Sequence, residues 1–130
     1  MVKFVESPIV PALAYQSLCT ANSGSVVFHF AVVKKQTEAG KSSTAIEYTI
    51  QNGAQLELEN IANELKDQWN LQDVLILRRA GIVSVGEIIS LVAASSPNSE
   101  DAFEACKYGI SRLKKMLTVC KTEIFDTVIN

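Results

Sequence analysis

At 130 residues the chain has the length of one domain. Hydrophobic residues make up 48% and charged ones 20%, which excludes a disordered chain too polar to bury a core. Twelve Lys and Arg against fourteen Asp and Glu leave a net charge of −2, which argues against a general nucleic-acid binder, whose affinity needs a surplus of cations over phosphates.

A single His, His29, and three scattered Cys, at 19, 106 and 120, exclude a zinc site of the usual build and read as reduced thiols of a cytoplasmic protein. Residues 7–33 carry no charge and are numerous enough to span a bilayer. Pro11, Gln16, Ser17, Thr20 and the run Asn22-Ser23-Gly24-Ser25 split them into two apolar pieces around a polar break, so no membrane span is expected. Lys3 and Glu6 stand at the N-terminus with no signal-peptide core after them.

In chain order, residues 26–34 are β-branched and aromatic and predict a buried strand, followed by a polar loop over 35–43 and a second strand over 44–50. After the Asn52-Gly53 turn signal, Leu58, Ile61, Ala62, Leu65 and Trp69 recur every three or four residues, the period of an amphipathic helix. Residues 74–77, 82–85 and 88–94 predict three strands, the last two separated by a turn at Gly86-Glu87. Pro97 disfavours helix at the residue before it, and Ser99 is positioned to cap a second helix whose first turn holds Glu100 and Asp101. Phe103, Cys106, Ile110, Leu113 and Leu117 form its apolar stripe. The order β, β, α, β, β, β, α predicts an α+β domain over residues 1–130, a mixed or antiparallel sheet with two main helices on one face.

From Ala105 to Lys121 there are five cations, Lys107, Arg112, Lys114, Lys115 and Lys121, and no acid. One reading is a solvated flank that compensates the helix dipole. The other is an anion site in which crowded ammonium groups free a lysine for acid–base or covalent work. Arg78-Arg79 either joins that site or faces solvent. His29, among apolar residues, reads as a core histidine with its nitrogens satisfied; Cys106 reads as core and Cys120 as an inert thiol. There is no Gly-rich phosphate loop.

The run Ala102-Phe103-Glu104-Ala105-Cys106-Lys107-Tyr108, with Arg112-Leu113-Lys114 and then Lys121 and Glu123, resembles the large, catalytic subunit of molybdopterin synthase. Gly24-Ser25-Val26-Val27, Ala45-Ile46-Glu47-Tyr48, Trp69, Arg79-Ala80-Gly81, Val85-Gly86-Glu87 and Ser95-Ser96-Pro97 agree in order and spacing, so the likeness runs from about residue 24 to 125. It implies an α/β hammerhead-like fold and a homodimer that binds a small ubiquitin-like sulfur carrier. The carrier's C-terminal Gly-Gly thiocarboxylate would deliver sulfur to cyclic pyranopterin monophosphate, without metal or cofactor. Lys114 matches the lysine after the family's Arg-Leu pair and would take the covalent or acid–base role. Lys121 matches a second active-site lysine and would position substrate and carrier tail. Lys34 stands for a family Arg, and Asn98-Ser99 for a family His-Arg. With Arg79 and Lys107 these three residues complete the expected anion-binding set.

The departures are specific. Asn98 and Ser99 carry no charge, Lys34 offers no bidentate fork, and the family's Pro-x-Trp has become Thr118-Val119-Cys120. Arg78, Arg79, Lys35 and Lys41 are the cations available to compensate. The alternative reading is a paralogue that keeps the fold and carrier binding but serves as a regulatory module.

Overall fold

The computed structural model describes residues 1–127. One four-stranded sheet has the order β1-β5-β7-β2, built from β1 (Val2–Val5), β5 (Asp73–Arg79), β7 (Ile88–Ser96) and β2 (Ser25–Val32). β1 pairs with β5 in parallel, and the other pairs are antiparallel, so the sheet is mixed. Helices α2 (Ala54–Gln68) and α3 (Ser99–Lys114) pack on one of its faces and against each other.

Strand alternation sorts the core into two halves. Val74, Ile76, Val92 and Ala94 turn toward the two long helices and meet Leu58, Ile61, Leu65 and Cys106. Leu75, Leu77, Leu91 and Ala93 turn the other way and are covered by Ile9, Ala14 and Leu18. This second cover is a short helix, α1 (Pro11–Ser17), with Pro11 at its first position, where the missing N–H costs nothing. Both sheet faces are thus buried, which is why β5 and β7 read as unbroken apolar runs.

The second sheet is centred on β4 (Lys41–Ile50). One edge of β4 carries β8 (Val119–Thr127) along its whole length. The other is shared by β6 (Gly81–Ser84) and a two-residue strand, β3 (Thr37–Glu38).

Several expectations are corrected. The polar stretch 35–43 is not an open loop but a tight hairpin, β3 to β4, turned by Ala39 and Gly40, both at positive φ. The N-terminal segment contributes β1 and α1, so the sheet is covered on two faces. Residues 119–127, to which the sequence reading assigns no element, form β8. α3 is capped by Asn98, whose side-chain oxygen accepts from the Glu100 amide at 2.9 Å, and Ser99 is its first helical residue. Its buried face is made by Ala102, Ala105, Cys106, Gly109 and Leu113. Of the predicted stripe, Cys106 and Leu113 are buried and Ile110 packs against the core, whereas Phe103 and Leu117 stand 62% and 85% exposed, Leu117 lying beyond the end of the helix. Small residues win on the buried face because α3 lies close to its neighbours: a Cβ at Gly109 would sit 3.1 Å from Val92 and 3.3 Å from Leu65.

Candidate active site

Two adjoining cavities lie where the end of α3 meets β2, β5 and β8. The larger, of about 660 Å³, has Lys114, Lys121, Arg78, Tyr48 and Ser90 in its wall. The smaller, of about 480 Å³, is lined by Phe103, Lys107, Ser111 and Cys106. His29, Ile110 and Lys114 belong to both. Volumes of this size suit a small-molecule ligand.

Each cation arrives from a different element. Lys114 ends α3, exposed at the helix C-terminus, where the macrodipole favours a positive charge. Lys121 sits on β8 directly opposite Tyr48 on β4, and facing pairs of an antiparallel ladder project on one side of the sheet. Arg78, near the end of β5, reaches across to the same space. Its Nη1 donates to the Leu113 carbonyl at 2.7 Å, and its guanidinium carbon lies 5.7 Å from the Tyr48 ring centroid, within cation–π range. Among the described residues no carboxylate lines either cavity.

The turn between α3 and β8 is tied down from α2. The Glu57 carboxylate accepts from the amides of Leu117 and Thr118, each at 3.2 Å, and from the Thr118 hydroxyl at 2.6 Å. Burial pushes the Glu57 pKa up, but these hydrogen bonds and the charge of Arg112 outweigh it and hold the carboxyl below its usual value. Arg112 itself pairs with Glu64 at 2.9 Å and takes no part in the cavity wall.

His29 departs from expectation. It is half-buried rather than core, its Nδ1 is buried with no hydrogen-bond partner, and it stands on the ridge between the two cavities. Burial first, and then the nearby positive charge of Lys114, hold its pKa below the usual 6.5, so the imidazole is neutral at pH 7. Replacing Lys114 by Ala should therefore raise the His29 pKa. An NMR pH titration of the protein's one imidazole would read this, and an unmoved titration would mean that Lys114 is too far away to act.

Of the residues expected from the sequence, the structure gathers Lys107, Lys114 and Lys121 around the adjoining cavities. Asn98 and Ser99 begin α3, about 24 Å from Lys114 along a 16-residue helix at 1.5 Å per residue. Lys34 is exposed just beyond β2 and lines neither cavity. Arg79 is buried on the other side of β5. Its Nη1 lies 3.7 Å from Glu87, and its Nη2 donates to the carbonyls of Glu6 and Ile82 at 3.3 and 3.4 Å, so it braces the fold rather than facing a ligand. Cys106 is core, and burial pushes its thiol pKa up to about 12; Cys120 is exposed and accepts from the Gln51 amide. Among the described residues no group of His, Cys, Asp or Glu is placed to hold a metal, and no helix is long and apolar enough to cross a membrane.

The MoaE protein family model matches residues 4–116, which span α1 to α3 and the cavity-lining strands β2, β4, β5 and β7. The chain belongs to this family. It is 32% identical over 107 residues to a molybdopterin synthase catalytic subunit of Pyrococcus abyssi, covering 82% of this chain and 72% of that one. A Drosophila melanogaster protein of the same description is 31% identical over 127 residues, but the chain spans only 34% of its length. The solved structure of molybdopterin synthase from Staphylococcus aureus superposes with a TM-score of 0.88 at 28% identity, over 96% of this chain and 91% of that one. At 17% identity and a TM-score of 0.76, over 97% of this chain and 87% of that one, a complex of subunits 1 and 2 of molybdopterin-converting factor from Helicobacter pylori shares the fold. Membership of the MoaE family accounts for the α+β architecture seen here.

Proposed function

We propose that this chain is the catalytic subunit of a molybdopterin synthase. It would transfer sulfur from the C-terminal thiocarboxylate of a small ubiquitin-like carrier to cyclic pyranopterin monophosphate. The observation that carries the reading is one cavity with three cationic side chains, Arg78, Lys114 and Lys121, and, among the described residues, no carboxylate in its wall. Both reactants are anionic, and prearranged cations in a partly desolvated site stabilise such charge far better than water does.

In this reading Lys114 does the covalent or acid–base work, because it stands where both cavities meet. Lys121 orients the substrate and the Gly-Gly tail from the opposite wall. Lys107 extends the positive surface along α3. The cysteines are not needed, since sulfur arrives on the carrier. The functional unit is a cytoplasmic homodimer of one-domain chains, each binding a carrier; the two-subunit Helicobacter pylori assembly with this fold supports the carrier as partner.

The test is reconstitution. The purified chain, a thiocarboxylated carrier and the cyclic pyranopterin should yield the dithiolene product. Binding of the carrier without any dithiolene would replace this reading with that of a carrier-binding regulatory module.

A further inference from the structure

Arg78 and Arg79 are adjacent in sequence and have opposite environments. Strand alternation sends Arg79 to the face where Glu87 neutralises it, and sends Arg78 to the cavity side. Among the described residues no carboxylate lies within ion-pair distance of Arg78. Its guanidinium is held in place by the Leu113 carbonyl, by the Met116 sulfur at 3.4 Å and by the Tyr48 ring, while its Nε is buried and has no partner. The charge of Glu57 acts on it only through space, and a positive charge that is fixed, largely desolvated and without an ion-pair partner is costly to the fold unless a ligand completes it.

We propose that Arg78 is the oxyanion anchor of the larger cavity, and so a specificity-determining residue of the site. A planar guanidinium matches the paired oxygens of a phosphate ester or a carboxylate, which an ammonium group cannot do. Arg78 therefore supplies, from β5, a fixed guanidinium charge in the cavity wall that Lys34, Asn98 and Ser99 do not provide. Its ligand is either the phosphate of the substrate or the terminal carboxylate of an extended peptide tail. The identity of that ligand rests on the sulfur-transfer reading; the presence of an oxyanion site does not.

Two probes separate the sources: inorganic phosphate and N-acetyl-glycylglycine, each titrated into the whole chain by calorimetry. One of them should bind the wild type, and Arg78→Gln should weaken it about tenfold or more, as loss of a charge-assisted contact does. Arg78→Lys should fall between the two, and Lys66→Gln, on an exposed turn of α2, should match the wild type. Should Arg78→Gln fail to fold, the Arg78 side-chain Nε–H resonance of the wild type gives the answer, since it should shift on adding the probe that binds.

A role confined to bracing the Leu113 carbonyl would lower Tm and leave affinity unchanged. Equal affinity in Arg78→Gln, an unmoved Nε resonance, or a wild type that binds neither probe overturns the proposal. If the probe binds through Arg78 and reconstitution yields no dithiolene, the oxyanion site stands and the sulfur-transfer reading falls.

Discussion

Lys121→Ala and Lys114→Ala should each abolish formation of the dithiolene, a loss of at least about 10²-fold, the scale seen when one prearranged charge-stabilising group is removed from an active site. Both side chains are exposed at the cavity rim and neither forms an ion pair in the described structure, so Tm should hardly move. Arginine substitutions separate their roles. Lys121→Arg keeps a cation over the cavity and should retain part of the activity. Lys114→Arg keeps the charge but removes the primary amine, and should be as inactive as the alanine variant if that amine acts covalently or as an acid–base group. Product analysis of the reconstituted reaction is the measurement. Normal turnover in both alanine variants would remove these lysines from the mechanism.

The second large effect is expected at a residue that lines neither cavity. Glu57→Ala breaks three hydrogen bonds that tie the turn at Leu117 and Thr118 to α2, and should cost about 1–3 kcal/mol of stability in chemical denaturation. Because that turn sets where β8 begins, Lys121 should shift with it, and product formation should drop by about tenfold, the sensitivity expected of a misplaced reacting group. Unchanged catalysis in a destabilised variant would show that β8 is held by its ladder with β4 alone. The same carboxylate makes a pH prediction. Its folded pKa lies below its unfolded value near 4.5, so its contribution is fully present above that value and is lost as pH falls through the folded pKa. Stability measured from pH 6 down to pH 3 should fall more steeply in the wild type than in Glu57→Gln.

The legible parts of the fold were those with a strong local period. α2 follows from Leu58, Ile61, Ala62 and Leu65, all buried as their spacing requires. α3 is visible for the same reason through Cys106, Ile110 and Leu113, but the rest of its buried face is silent in the sequence, because Ala102, Ala105 and Gly109 carry no large side chain to mark it. α1 and β1 leave little mark in the sequence because each is short and its apolar residues are interrupted. β8 carries little apolar signal in the sequence because its polar residues are held by pairing with β4 rather than by a core.

The site divides in the same way. The cluster of cations from Lys107 to Lys121 stands out in an acidic chain without any coordinates. That Lys114 and Lys121 share a cavity does not, since it depends on a turn pinned by a carboxylate some 60 residues earlier. Arg78 and Arg79 look equivalent as a pair of letters; only the face of β5 on which each falls separates a cavity wall from a structural brace. The apolar neighbours of His29 in sequence predict a core position, yet the fold leaves it at the junction of the two cavities.

What the amino-acid order determined by itself was the class of fold, the family resemblance and the sign of the charge around the second helix. These depend on residue type and spacing, which are local. The tertiary structure alone decided which cations converge, which arginine is neutralised and which is left without an ion-pair partner. Those outcomes depend on distances between strands far apart in the chain, where electrostatics and desolvation act through space and leave no mark on neighbouring residues.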